Sequence, residues 1–118
     1  LSIRRQRQMC IRDRSDLCCS KNIPFTLKIG GPTAQRDFYE AFQLGASNIL
    51  VPMVESKYSL LNCFEMVEKF LPLFKDLTNT PKLFINIESQ LALNNIDTIG
   101  IINMVLQYSN TEIFKKKA

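Results

Sequence analysis

The sequence predicts an α/β protein whose core is a parallel sheet of about three βα units. Three short apolar runs of β-favouring residues alternate with stretches in which apolar residues recur at helical spacing. Strands and helices that alternate along a chain form parallel sheets with right-handed crossovers. The predicted strands are residues 25–29, 48–53 and 83–87.

The first βα unit has a clear beginning and end in the sequence. Its strand stops at Gly30, and Pro32 is expected in the first turn of the following helix, where its missing N–H costs no hydrogen bond. Gly45 is expected to end this helix in the left-handed conformation that glycine adopts without strain. The predicted inward face of the helix consists of Ala34, Phe38, Ala41 and Phe42.

The second and third units follow the same plan. Residues 49–51 are continuously apolar, as is typical of a strand covered on both faces, and Ser56 is a suitable cap for the next helix. Pro72 and residues 78–81 indicate a loop, and a last helix is expected to begin near Asn94 or Asn95. The predicted inward residues are Leu60, Leu61, Phe64, Val67, Phe70 and Leu71 in the second helix, and Ile96, Ile99 and Val105 in the last.

Positive charge is concentrated at the amino end of the chain. Residues 1–14 contain five arginines and one aspartate, whose charges sum to +4. This is the formal net charge of the whole chain. Residues 9–13 resemble the translation of a transposon end used in sequencing libraries, so we interpret residues 1–14 as a sequencing-adapter artefact. An arginine-rich arm can also bind nucleic acid or an anionic membrane. The match favours the artefact, and no nucleic-acid partner is predicted.

The remaining composition narrows the class of protein. A hydrophobic content of 46% is typical of a globular α/β chain, and no apolar run reaches the ~18 residues of a membrane-spanning helix, so no membrane partner is predicted. The spacing of the four cysteines matches no zinc site, which favours reduced thiols and a cytoplasmic location. Because the chain contains no histidine, any acid, base or metal ligand must be a carboxylate, lysine, tyrosine or thiol.

Charged residues lie where the predicted strands end. Lys28, Glu55 and Glu88 stand at or just past three carboxyl ends, the edge at which (β/α)8 barrels carry their active sites. Carboxylates there can hold Mg²⁺, and a lysine can pair with a substrate carboxylate. Each residue could instead be a solvated strand end. Because three units cannot close an eight-stranded barrel, the predicted fold is a partial (β/α)8, or TIM, barrel.

The order and spacing of several short motifs are similar to those of a known family. The motifs are residues 27–31, Arg36-Asp37, Leu44-Gly45, residues 51–56, and residues 85–88 with residues 95–97. Over roughly residues 20–99 the chain resembles the HpcH/HpaI aldolase/citrate lyase family, a metal-dependent branch of the pyruvate/phosphoenolpyruvate TIM barrels. This resemblance implies a lyase that makes or breaks a carbon–carbon bond through a metal-stabilised enolate of a keto-acid or acyl-CoA-type substrate.

The resemblance also implies roles for individual residues. Glu88 matches the family's metal-binding glutamate, with Mg²⁺ or Mn²⁺ as the cofactor. Asn86 matches a polar position near the substrate. Lys28 lies close to the position at which aldolases of the family have an arginine that grips the substrate. Lys28 and Glu88 are therefore the expected catalytic residues. Lysine offers a point charge rather than a planar fork. Glu55 is a weaker substrate-binding candidate, since the cap at Ser56 is a sufficient structural explanation for that loop.

The resemblance divides the chain into three parts. Residues 1–14 are the artefact, residues 15–102 are a fragment of the barrel, and residues 103–118 are interpreted as a truncated or frameshifted tail. The family's second metal carboxylate, an aspartate on the next strand, has no counterpart there, and Glu112 is not in a matching context. This fragment alone is expected to be inactive, and its parent is expected to form a homo-oligomer. The alternatives are a non-catalytic barrel subunit that binds a keto acid or metal, and a purely structural α/β scaffold.

Overall fold

The computed structural model of the protein describes residues 3–74, 81–101 and 103. Within these residues strands and helices alternate, and the three strands form one parallel sheet in the order β1-β2-β3. The predicted α/β class and parallel sheet are therefore confirmed. The elements are α1 Ile3–Ser20, β1 Thr26–Lys28, α2 Gln35–Gln43, β2 Asn48–Val51, α3 Lys57–Phe70, a 3₁₀ turn at Leu71–Leu73, β3 Lys82–Ile85 and α4 Gln90–Asn94.

Each strand is shorter than predicted, and β2 shows the reason most clearly. It ends at Val51 because Pro52 has no N–H for the ladder, and Met53 turns the chain with φ +55°. The register aligns Lys28 with Leu50, and Leu50 with Phe84. These aligned residues share one face of the sheet, since side chains in a strand alternate between its two faces.

The core lies between the other face of the sheet and helices α2 and α3. Ile49 and Val51 of β2 are fully buried, and they belong to the same cluster as Phe38 and Phe42 of α2. Burial of apolar area is the main favourable contribution to folding, at about 25 cal/mol per Å². The core members from α3 are Leu60, Cys63, Phe64, Val67 and Phe70.

Helix α2 begins later than predicted, whereas its end is where it was predicted. Pro32 lies in a turn closed by the Ala34 N–H on the Gly31 carbonyl oxygen, so the expected helix start at Pro32 is wrong and the helix begins at Gln35. At the other end Gly45 has φ +69°. The N–H of Gly45 donates to the Phe42 carbonyl and that of Ala46 to the Ala41 carbonyl, which is the Schellman pattern of a glycine-terminated helix.

The predicted cap of α3 is confirmed. The Ser56 side chain accepts a hydrogen bond from the Ser59 N–H at 3.2 Å, which satisfies one of the four orphan N–H groups at the helix start. On the inward side, Cys63 is completely buried, and its thiol contacts the Ser59 carbonyl oxygen at 3.3 Å. Loss of hydration on burial raises the pKa of the Cys63 thiol from 9.0 to about 12.

This raised pKa makes stability fall at alkaline pH. The unfolded chain releases the Cys63 proton near pH 9, whereas the folded chain keeps it until about pH 12, so the free energy of unfolding decreases between these values. We expect the free energy of unfolding, measured with urea between about pH 8 and 11, to decrease more steeply with pH for the native sequence than for Cys63→Ala. Equal slopes would show that the thiol is ionised as easily in the folded chain.

The last helical region departs from the predicted pattern. Ser89 caps α4, which starts at Gln90, and residues 96–101 are helical after a turn at Asn95. Ile99 is buried as expected, but the predicted inward residue Ile96 is exposed. The predicted inward residue Val105, most of the loop at residues 78–81, and Glu112 lie outside the described residues.

Helix α1 runs through the arginine-rich segment. It extends to Ser20, and the hydroxyl of Ser15 donates to the Leu44 carbonyl oxygen at 2.7 Å. This contact attaches the carboxyl-terminal half of α1 to the end of α2. The interpretation of residues 1–14 as an artefact stays a prediction. In the described part of the chain, no helix is both long and apolar enough to cross a membrane.

Candidate functional site

Lys28 and Glu88 meet at the carboxyl edge of the sheet. Lys28 is the last residue of β1, and Glu88 lies three residues beyond β3, so Lys28 reaches across β2 to bring its Nζ within 3.9 Å of Glu88 Oε1. The side chains of Lys28 and Glu88 are 57% and 35% exposed, which leaves the pair open to a ligand. The parallel sheet makes this encounter possible because all three strands end on the same side.

Two further donors hold the Glu88 carboxylate. The Met53 N–H donates to Oε2 at 3.1 Å, and the Asn86 side-chain amide donates to Oε1 at 3.1 Å. Met53 is in the left-handed region at φ +55°, which is uncommon for a residue with a side chain. Backbone strain of this kind persists where the surroundings hold it, often at functional sites. Here it accompanies an N–H group directed at Glu88.

Glu55 has different partners. Its Oε2 accepts a hydrogen bond from the Ser89 hydroxyl at 2.7 Å, and its carbonyl oxygen accepts one from the Asn95 side chain at 2.9 Å. Ser89 also accepts the Ala92 N–H as the α4 cap. Glu55 therefore joins the loop after β2 to the start of α4. This geometry explains the residue structurally, and its role in substrate binding stays a prediction.

A third carboxylate holds the loop after β1. Asp37, in the first turn of α2, accepts the Gly30 N–H at 2.8 Å through Oδ2. A Cβ at Gly30 would lie 3.0 Å from that oxygen, so the close approach favours glycine. Sequence reasoning assigned no function to Asp37, Ser89 or Met53. An aspartate in a first helical turn and a serine before an apolar run are recognisable capping signals, whereas nothing in the sequence marks Met53.

The capacity of the site for a metal ion rests on Glu88. Among the residues that the structure describes, no group of three or more Cys, Asp or Glu side chains comes together. Mg²⁺ nevertheless uses only one or two protein carboxylates where waters and substrate oxygens complete its shell. Glu88 meets that minimum, with the Asn86 side chain beside it. The Lys28 ammonium repels a cation at the same carboxylate unless a substrate anion neutralises it.

A separate concavity of about 270 Å³ lies between α1 and the α2 side of the sheet. Its lining includes Met9 and Arg12 from α1, and Leu27 and Glu40. None of Lys28, Glu55, Asn86 and Glu88 contributes to it. The chemistry-bearing residues and this concavity are therefore distinct features of the molecule.

The described residues define a polar site, open to solvent, at the carboxyl edge of a parallel α/β sheet. It combines one carboxylate, one ammonium group, one side-chain amide and one directed backbone N–H. Comparison of the chain with protein-family models, with curated proteins and with solved structures returned no match.

Proposed function

We propose that this chain is part of a metal-dependent carbon–carbon lyase of the aldolase/citrate lyase type, acting on a keto-acid or acyl substrate. The observation that carries the proposal is the 3.9 Å approach of Lys28 and Glu88 at the carboxyl edge of the sheet. Lyases of this type need a cation held by a carboxylate, beside a positive group that binds the substrate. Lys28 and Glu88 have the required charges, and Asn86, which donates to Glu88, can also bind a substrate oxygen.

Each residue has one task in the proposed reaction. Glu88 holds a divalent cation, Mg²⁺ or Mn²⁺, and Lys28 pairs with the carboxylate of the substrate. Asn86 orients Glu88 through one N–H of its side-chain amide and can donate the other N–H to a substrate oxygen. When bound, the cation polarises the substrate carbonyl and stabilises the negative charge of the enolate. Lys28 would also reduce the net negative charge at the site during bond cleavage.

The arrangement of the strands agrees with a slice of a (β/α)8 barrel. Consecutive strands are neighbours in the order β1-β2-β3, as they are in a barrel. Because a barrel needs eight strands to close, the proposal includes a longer parent protein. The resemblance to the family adds the proposal that this parent forms a homo-oligomer. All four cysteines are free thiols, which supports a cytoplasmic location.

The proposal predicts a Mn²⁺ site that depends on Glu88. In the presence of excess pyruvate, which supplies the anion that neutralises Lys28, we expect Glu88→Gln to weaken Mn²⁺ binding to the 118-residue chain by about tenfold or more, because a neutral amide is a poorer ligand for a hard cation. Electron paramagnetic resonance of free Mn²⁺ measures this affinity directly. Glu68→Gln, an exposed position of α3, is the matched control and should bind as the native chain does. Equal Mn²⁺ affinity in all three chains would show that Glu88 is not a metal ligand.

A non-catalytic barrel subunit is the second candidate. It is favoured by Lys28, since an ammonium group cannot grip a carboxylate with two parallel hydrogen bonds as an arginine does. It is also favoured because no group of three or more Cys, Asp or Glu side chains comes together within residues 3–74, 81–101 and 103. Metal binding without turnover in the complete protein would support this candidate. Binding that is insensitive to Glu88 would support a structural scaffold.

A further inference from the structure

We propose that Lys28, Asn86 and the Met53 N–H form a carboxylate-binding site that Glu88 occupies in the ligand-free chain and that a substrate carboxylate takes over. The Lys28 ammonium lies 3.9 Å from a single carboxylate group, and two hydrogen-bond donors reach the same group at 3.1 Å each. The three groups come from the ends of three different strands. The identification of a keto acid as the natural occupant rests on the proposed function, whereas the site itself rests on this geometry alone.

The donor set matches a carboxylate in charge and in geometry. The Lys28 ammonium supplies the positive charge, and two N–H groups donate hydrogen bonds to different oxygens of the ionised Glu88 carboxylate. Charge-assisted hydrogen bonds of this kind are about twice as strong as neutral ones. Met53 keeps its N–H in place through an uncommon backbone conformation at φ +55°, and the donor does not depend on a mobile side chain.

Glu88 is suited to leave this site. It follows β3 in a segment without regular structure, and its side chain is 35% exposed. A rotation about its side-chain bonds is therefore enough to release the donors. Because Glu88 is tethered beside them, it competes at a high effective concentration, and a free carboxylate binds the native chain weakly.

The exchange would resolve a conflict in the metal site. In the ligand-free chain Glu88 is engaged by three donors, and Lys28 repels any cation that approaches it. A substrate carboxylate at the donors would neutralise Lys28 and free the Glu88 oxygens at the same time. Substrate binding and metal binding would then strengthen each other, as coupled equilibria require.

The test is a titration with acetate in the presence of a chelator, so that no metal contributes. We expect the Met53 amide signal of the ¹⁵N-labelled 118-residue chain to shift in a saturable way in Glu88→Ala, with an affinity at least about tenfold higher than in the native chain. Glu88→Ser serves as a second vacated variant. The amide spectrum of each variant also reports whether the fold is retained.

A pair of double variants separates the site from general electrostatic attraction. Lys28→Ala in the Glu88→Ala background should abolish the gain in acetate binding. Lys82→Ala in the same background removes a lysine at the opposite end of β3 and should leave the gain unchanged. Equal acetate affinity in the native chain and both vacated variants, or equal losses in the two double variants, would overturn the inference. The outcome is independent of the Mn²⁺ experiment, because no metal is present.

Discussion

Replacing Glu88 with glutamine is expected to lower Mg²⁺- or Mn²⁺-dependent lyase turnover of the complete protein by at least about 100-fold. Loss of an outer-shell partner of a metal ligand costs 10- to 100-fold, so loss of the ligand itself should cost at least the upper value. The free energy of unfolding should change by less than about 1 kcal/mol, since Glu88 is partly exposed and its ion pair with Lys28 is solvated. Release of pyruvate from a hydroxy-keto acid measures turnover.

The matched control for this experiment is Glu68→Gln, which makes the same chemical change on the exposed surface of α3. It should leave turnover unchanged. Full activity of Glu88→Gln would contradict the assignment of Glu88. Loss of activity in both variants, with loss of the folded signal, would point to instability rather than to a missing ligand.

Replacing Phe38 with alanine should lower the free energy of unfolding by about 3 to 5 kcal/mol. Phe38 is 0% exposed and lies in the cluster between α2 and the sheet. Its removal both forfeits the burial of an aromatic ring and leaves a cavity, because a packed core relaxes only partly. Urea unfolding followed by circular dichroism measures the change.

Phe84→Ala is the matched control for the core substitution. Phe84 belongs to β3 but is 51% exposed, on the sheet face opposite the core. We expect it to cost less than about 1 kcal/mol. Similar losses at Phe38 and Phe84 would mean that both faces of the sheet are covered to the same extent, in conflict with the structure.

Local signals in the sequence predicted much of the fold. Ser56 and Gly45 act within a single helical turn, so their roles as cap and terminator could be inferred from neighbouring residues alone. Periodicity likewise located most of the buried positions of α2 and α3, although the predicted inward residues Ala34, Leu61 and Leu71 are only half-buried. The start of α2 was placed too early because Asp37 binds the Gly30 N–H from seven residues away, and the intervening loop, which contains Pro32, stays outside the helix.

Contacts between distant residues limited the prediction of the site. The sequence predicted that the carboxyl ends of the strands lie at one edge of the sheet, and Lys28 and Glu88 do lie close together there. Two other features could not be inferred locally. The N–H of Met53 reaches Glu88 only because Met53 has a positive φ, and Glu55 turns to Ser89, 34 residues away. Both depend on how three loops pack together.

The most direct test of the central claim is to locate a bound cation on the chain. Mn²⁺ broadens the amide signals of nearby residues, so substoichiometric Mn²⁺, added with excess pyruvate to neutralise Lys28, should first broaden those of Met53, Asn86 and Glu88 in the native chain. The same titration of Glu88→Gln should leave these signals sharp. Broadening centred elsewhere, or broadening that is identical in the two chains, would contradict the assignment of this edge of the sheet as a metal-dependent active site.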